Sequence, residues 1–209
     1  MLLKETQTSI CNKALALLGE EPIRGLDDDT SKAARVCKEF FTLSLRSVFE
    51  EGKWPFATLE QPAELLDLPE YSKEQKYIYS IPCNSALIVR VYTRDNRKNL
   101  NRNLDWDLRY IPELSTSAII CNKKTKIDEE TENPIDQDEE VIIEYISETV
   151  CSGAYTAAFI RCLVAQLAAD ICMPITHDQQ RWANIMQYAA VYALCGMHCF
   201  SISYCTVRR

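Results

Sequence analysis

Residues 11–57 read CNKALALLGEEPIRGLDDDTSKAARVCKEFFTLSLRSVFEEGKWPFA, and their pattern decides how the chain is organised. Ile10, Ala14, Leu17 and Leu18 fall at i, i+4, i+7 and i+8, one face of a helix. Gly19 is the expected stop, because glycine enters the left-handed conformation without a steric penalty. A second helix is expected behind Asp27, Asp28 and Asp29, whose carboxylates suit the free N–H groups and positive end of a helix start. Its apolar stripe is Cys37, Phe40, Phe41, Leu45, Val48 and Phe49, and Gly52 and Pro55 end it. The pattern describes a helical hairpin with a side to bury. It carries no catalytic signature.

Outward from this hairpin the helical period stops. Residues 58–75, rich in proline and acid, read as a connecting loop with one turn of helix. Strands are expected at 76–82, 86–92, 106–111, 117–121 and 140–146, where β-branched and aromatic residues concentrate. In the last, Val141, Ile143 and Tyr145 alternate with Ile142, Glu144 and Ile146. Residues 93–103 form a polar hairpin or loop carrying Arg94, Arg97, Lys98 and Arg102. Residues 126–140 hold eight carboxylates without helical period and read as a solvated loop.

Helical spacing returns at Gly153 with Ile160, Leu163, Val164, Leu167, Ala168 and Ile171, and Pro174 is the expected stop. Thr176, His177, Asp178 and Gln179 match a capping box that opens a fourth helix. Trp182, Ile185, Met186, Ala189 and Ala193 form one face of that helix, which runs to about Cys195. The expected fold is α+β: a four-helix bundle of two N-terminal and two C-terminal helices with an inserted, mainly antiparallel β domain. The domains are residues 1–57, 58–149 and 150–199, followed by a tail at 200–209.

At 209 residues, 47% hydrophobic and 25% charged, the chain is long enough for a real core and ordinary enough to be globular. No run reaches the ~18 uninterrupted apolar residues of a spanning helix, and MLLKETQTS lacks the shape of a signal peptide. A soluble protein made in a cytoplasm, without a membrane partner, is expected. The net charge of −7 argues against a nucleic-acid binder that relies on basic residues, while permitting a wall past which DNA slides.

The ten cysteines follow no disulfide or metal spacing. Cys37, Cys162 and Cys172 sit in apolar runs as small hydrophobes, and free thiols are the default in a reducing compartment. Cys195, His198, Cys199 and Cys205 could hold zinc tetrahedrally, but they lack a C-x-x-C knuckle, and a structural role is the better reading. The only other histidine, His177, falls in the capping box. There is no G-x-G-x-x-G, no G-K-[ST] loop and no calcium-loop order in the acidic run. No cofactor and no catalytic residue are expected.

The order of an ALALLGE-P-I helix, an LDDDTSKAARVC turn and helix, and then W-P-F-A resembles the tail tubular protein A family. These are the head-to-tail adaptors of short-tailed bacteriophages. Residues 162–176, CLVAQLAADICMPIT, are similar to the family's later LAARLA-x-x-x-A-x-P-L-T helix and stop. The resemblance implies a virion neck protein that forms a twelve-fold homo-oligomeric ring beneath the portal protein and joins it to the tail nozzle, a tail tubular protein B-like partner. Double-stranded DNA would pass through without sequence-specific binding.

It further implies ring-building faces on the helical domain and a Trp54-Pro55-Phe56 corner locking helix to sheet. A C-terminal portal anchor would fall on Tyr204, Val207, Arg208 and Arg209, assigned by position alone, and Arg94, Arg97, Lys98 and Arg102 would face a partner or DNA. The cysteines and tyrosines near the C-terminus depart from the family pattern. The rival from another class is a tail-associated polysaccharide hydrolase whose engine would be a carboxylate pair in the β insertion. A regulatory binding module has no recognition motif in its favour.

Overall fold

The computed structural model describes residues 6–27, 30–66, 68, 76–95, 100–123 and 140–201, with the backbone alone at 95, 100 and 192–201. The class is α+β, with four α-helices and two antiparallel sheets among these residues. The chain divides into two compact units, Met1–Ala57 with Glu148–Arg209, and Thr58–Ser147.

The first unit holds α1 (Gln7–Leu17), α2 (Lys32–Glu51), α3 (Ala157–Thr176) and α4 (Gln179–Ser201). α3 is the hub and packs against the other three. It buries Phe159, Leu163, Leu167, Ala168 and Ile171 completely. By length and composition α3 could cross a membrane, but 56% of its apolar window is buried inside the chain, as a core helix requires.

Side chains cap the helix starts. Thr6 accepts from the Ser9 N–H, Ser31 from that of Ala34, and Thr156 from that of Phe159. The expected role of the aspartate run at α2 is thereby corrected for Asp27, which instead pairs with Lys38 at 2.7 Å. Asp28 and Asp29 lie outside the described residues. Gly19 follows α1 at φ +71°, as its position predicts.

The α1 stripe is rotated from the expected one. Ile10, Cys11, Ala14, Leu15 and Leu18 are buried, whereas Leu17 is 39% exposed. α2 buries Cys37, Phe41, Val48 and Phe49 with Ala34 and Ser44, while Phe40 and Leu45 are half-buried.

Pro174 does not stop α3. It sits inside the helix, which runs on to Thr176. The missing proline N–H falls near the helix end, where the Thr176 hydroxyl donates to the Cys172 carbonyl and the His177 N–H to that of Met173. His177, in the left-handed conformation at φ 54°, is the true stop. Thr176 is therefore not the cap of α4. Asp178 is, accepting from the Arg181 N–H at 2.9 Å. The expected α4 stripe is not a buried one either, since Trp182 and Met186 are 37% and 42% exposed.

The second unit contains eight strands among the described residues: β1 (Thr58–Pro62), β2 (Leu65–Leu66), β3 (Tyr77–Tyr79), β4 (Ser85–Asp95), β5 (Leu100–Asn103), β6 (Trp106–Ile111), β7 (Thr116–Cys121) and β8 (Glu140–Ser147). They make two antiparallel sheets, β1-β8-β4-β5 and β2-β3-β7-β6. The stretch 58–75, expected as a loop, therefore contains β1 and β2. Thr58–Pro62 has little β preference of its own, but β8 offers it a complete ladder, and Pro62 is tolerated at the end of an edge strand. Residues 93–95 and 100–103 lie in paired antiparallel strands, with Tyr92 opposite Asn103 and Arg94 opposite Asn101.

Side chains from both sheets meet in one core built on Tyr79, Val91, Ile119, Val141 and Ile143. β8 is buried on both faces, with Ile142 and Ile146 as deeply enclosed as Val141 and Ile143. A smaller cluster of Ile78, Ile111, Ala118 and Ile120 forms a second apolar layer.

Candidate functional site

Trp54 and Phe56 lie in the helical unit, in an aromatic cluster with Phe49, Tyr155 and Phe159. The Trp54 ring meets Phe159 edge-on at 4.9 Å, and Phe56 meets it at 5.1 Å. The indole N–H of Trp54 donates to the Val48 carbonyl at 2.7 Å, satisfying one of the end-of-helix carbonyls that α2 cannot pair itself. Gly52 lets this happen, because a Cβ there would stand 3.1 Å from the indole. Pro55 is exposed at the turn. The rings hold the end of α2 to the start of α3, a packing role.

Of the predicted basic loop, Arg94 is committed within its own sheet. Its guanidinium donates to Glu60 and, at 2.9 Å, to the Tyr92 hydroxyl. The Tyr92 bond leads the causes that raise the Arg94 pKa above its ordinary value. Arg90 stacks on the Tyr92 ring at 4.6 Å and donates to Glu144 at 2.6 Å. The pattern is a charge ladder across β4, β8 and β1, which covers the sheet face and leaves Arg94 little reach for phosphate. Arg102 is exposed on β5, opposite Thr93. Arg97 and Lys98 lie outside the described residues, as do Tyr204, Val207, Arg208 and Arg209.

The side chains of Cys195, His198 and Cys199, and all of Cys205, are likewise outside them. Among the described residues no group of three or more His, Cys, Asp or Glu is placed to hold a metal. Cys11, Cys37, Cys121, Cys162 and Cys172 are buried, and burial pushes the Cys121 thiol up. Of the acidic run only Glu140 is described, at the start of β8.

One carboxylate neighbourhood lies where the sequence did not point, between α2 and α3. The Ser44 hydroxyl donates to Asp170 Oδ2 at 2.6 Å, and the Gln166 amide donates to Oδ1 at 3.1 Å. Partial burial, followed by the charge of Asp170, raises the Glu51 carboxyl above its ordinary value. Both oxygens of Asp170 are taken up by the protein's own donors. The arrangement suits a polar link between helices better than acid–base work.

Among the described residues, several apolar surfaces are open. A groove of about 440 Å³ on the helical unit is lined by Leu17, Ile160 and Val164, with Lys13, Arg161 and Tyr188 around them. α4 presents Trp182, Met186, Tyr188 and Val191 to solvent. In the β unit, Leu108 and Tyr110 of β6 are 49% and 62% exposed. Sequence reasoning missed the groove although Lys13 and Leu17 stand one turn apart. It counted Leu17 as core, and the exposure of Leu17 is a tertiary fact.

Compared with known proteins, the chain matches no family model and no curated protein.

Proposed function

We propose that this chain is a structural head-to-tail adaptor of a short-tailed bacteriophage, and not an enzyme. The observation that carries this reading is the order of the sequence signatures and the elements they occupy. The ALALLGE and LDDDTSKAARVC segments fall on α1 and α2 and the turn between them, and the CLVAQLAADICMPIT segment falls on α3. α3 packs on both. The fold then reads as a four-helix bundle with an inserted β domain, in which the exposed apolar side chains of α4 supply a face for ring neighbours or a portal. Asp170, with both oxygens bonded by the protein's own donors, and the five buried thiols favour a structural role over hydrolysis.

In the assembled particle, twelve copies would form a ring under the portal and extend the DNA channel to the nozzle. The test is to mix the purified full chain with its cognate portal ring and image the product by electron microscopy. A second twelve-fold ring stacked on the portal is expected. Deleting residues 202–209 should abolish the stacking if the tail is the anchor. No association at high concentration, with the chain still folded, overturns the adaptor reading.

A further inference from the structure

β6 bonds to β7 along its whole length, from Trp106 opposite Cys121 to Ile111 opposite Thr116. It ends its sheet, and among the described residues no strand pairs with its other edge. An open edge presents unpaired N–H and C=O groups and is normally protected by lysine, proline or a bulge. β6 has no bulge in its register with β7, and Pro112 comes only after its last residue.

The alternation of the strand places Trp106, Leu108 and Tyr110 on one face and Asp107, Arg109 and Ile111 on the other. Leu108 stands opposite the fully buried Ile119, yet is itself 49% exposed. The apolar face of the sheet therefore runs out to the edge without a cover. On the other face Asp107 and Arg109 pair with each other at 2.7 Å, both more than half exposed. The Arg109 guanidinium holds the Asp107 carboxyl below its ordinary value.

The segment Trp-Asp-Leu-Arg-Tyr is its own complement when run antiparallel. With a two-fold axis at Leu108, each Asp107 faces Arg109 of the second copy and each Trp106 faces Tyr110 of the second copy. The two Leu108 side chains meet at the centre. Opposite charges and aromatic pairs directly across a strand pair are stabilising, and like charges are not. Moving the register to the next two-fold position either way sets Asp107 against Asp107 or Arg109 against Arg109. The charge pattern thus selects one register and penalises its neighbours.

We propose that β6 is a homotypic docking edge at which two copies of this chain pair antiparallel about Leu108, joining their sheets into one. The partner is a second copy because the pattern of the edge is matched by itself. Such a two-fold contact is isologous and distinct from the head-to-tail contacts that close a ring. It is a separate state of the protein and does not rest on the adaptor reading.

Sedimentation velocity on the full chain across about 0.01–1 mM should show a reversible monomer–dimer equilibrium, weak because a single strand pair is a small interface. Asp107→Arg alone and Arg109→Asp alone should each weaken dimerisation roughly tenfold or more, since symmetry creates the like-charge contact twice. Mixing these two variants should restore a heterodimer, because each then presents the charge that the other lacks. The double exchange D107R/R109D should dimerise like the wild-type chain. Both side chains are exposed, so circular dichroism should show folded protein throughout.

The proposal is overturned by a wild-type chain that stays monomeric at the highest concentration. It is overturned equally by single variants that dimerise unchanged, which would move the contact to another surface such as α4, or by a mixture that stays monomeric. None of these outcomes alters the portal-ring result, so the two readings fail separately.

Discussion

At the scale of single residues, Trp54 closes the end of α2. It is 3% exposed, meets Phe159 edge-on and ties off the Val48 carbonyl. Trp54→Ala should lower unfolding free energy by about 3–5 kcal/mol, the usual cost of emptying a large aromatic site. Denaturant titration followed by far-ultraviolet circular dichroism checks it, and a loss under about 1 kcal/mol would mean the site collapses without penalty. Glu51 makes a prediction of opposite sign. Its carboxyl is raised by partial burial and by Asp170, so the folded chain holds that proton more tightly than the unfolded chain does. Stability linked to this group grows as pH falls through the window between its raised folded value and its ordinary one, and is absent above it. Glu51→Gln should therefore raise the melting temperature at pH 7. The gain should vanish below about pH 4, where glutamate is protonated in both states. A variant less stable than wild type at pH 7 would reject the account.

At the scale of elements, the α3–α4 junction shows how a cap is assigned by geometry rather than by spelling. Thr176 fits a capping box in the sequence, but its hydroxyl serves the end of α3, and Asp178 serves the start of α4. Asp178→Ala should cost about 1 kcal/mol, the ordinary worth of an N-cap. Thermal melts of that variant beside wild type decide it, and an unchanged midpoint would return the role to Thr176. The junction is also braced by Arg181, whose guanidinium donates to the Leu18 carbonyl at the end of α1. β1 teaches the same lesson for strands. Residues 58–62 carry no alternation worth reading, and they are extended because β8 beside them is a long apolar strand with an edge to fill. β8 itself was legible, since a run such as VIIEYI resists any other reading.

At the scale of the whole molecule, the two ends of the β unit are side by side. β1 and β8 are antiparallel partners, with Thr58 opposite Ile146, so the chain leaves the unit within one strand spacing of where it arrived. Replacing residues 58–147 by a short Gly-Ser linker should leave a helical protein that unfolds in one cooperative transition. Circular dichroism and urea titration would show it. A product without cooperative unfolding would mean that the two helical segments need the β residues to find each other. The proposed adaptor role belongs to this scale as well, because it depends on surfaces that only repeated copies can satisfy. On that reading the exposed apolar residues of α4 would supply such a surface.

Local pattern was enough for the α+β class, the positions of the four helices and most of the longer strands. Helical and strand periods, glycine at a left-handed turn and β-branched runs act locally, through backbone sterics and side-chain burial that need no distant partner. Which side of a helix is buried came from the packing of the whole fold. Leu17 and Met186 have the right spacing for a core but face outward, because α3 approaches α1 and α4 from another side. The tertiary structure alone decided that Pro174 lies within a helix, that residues 58–62 form a strand and that Arg94 is bound to Glu60. In each case the outcome depends on a group far away in the chain. A local pattern carries no record of that neighbour until the fold brings it there.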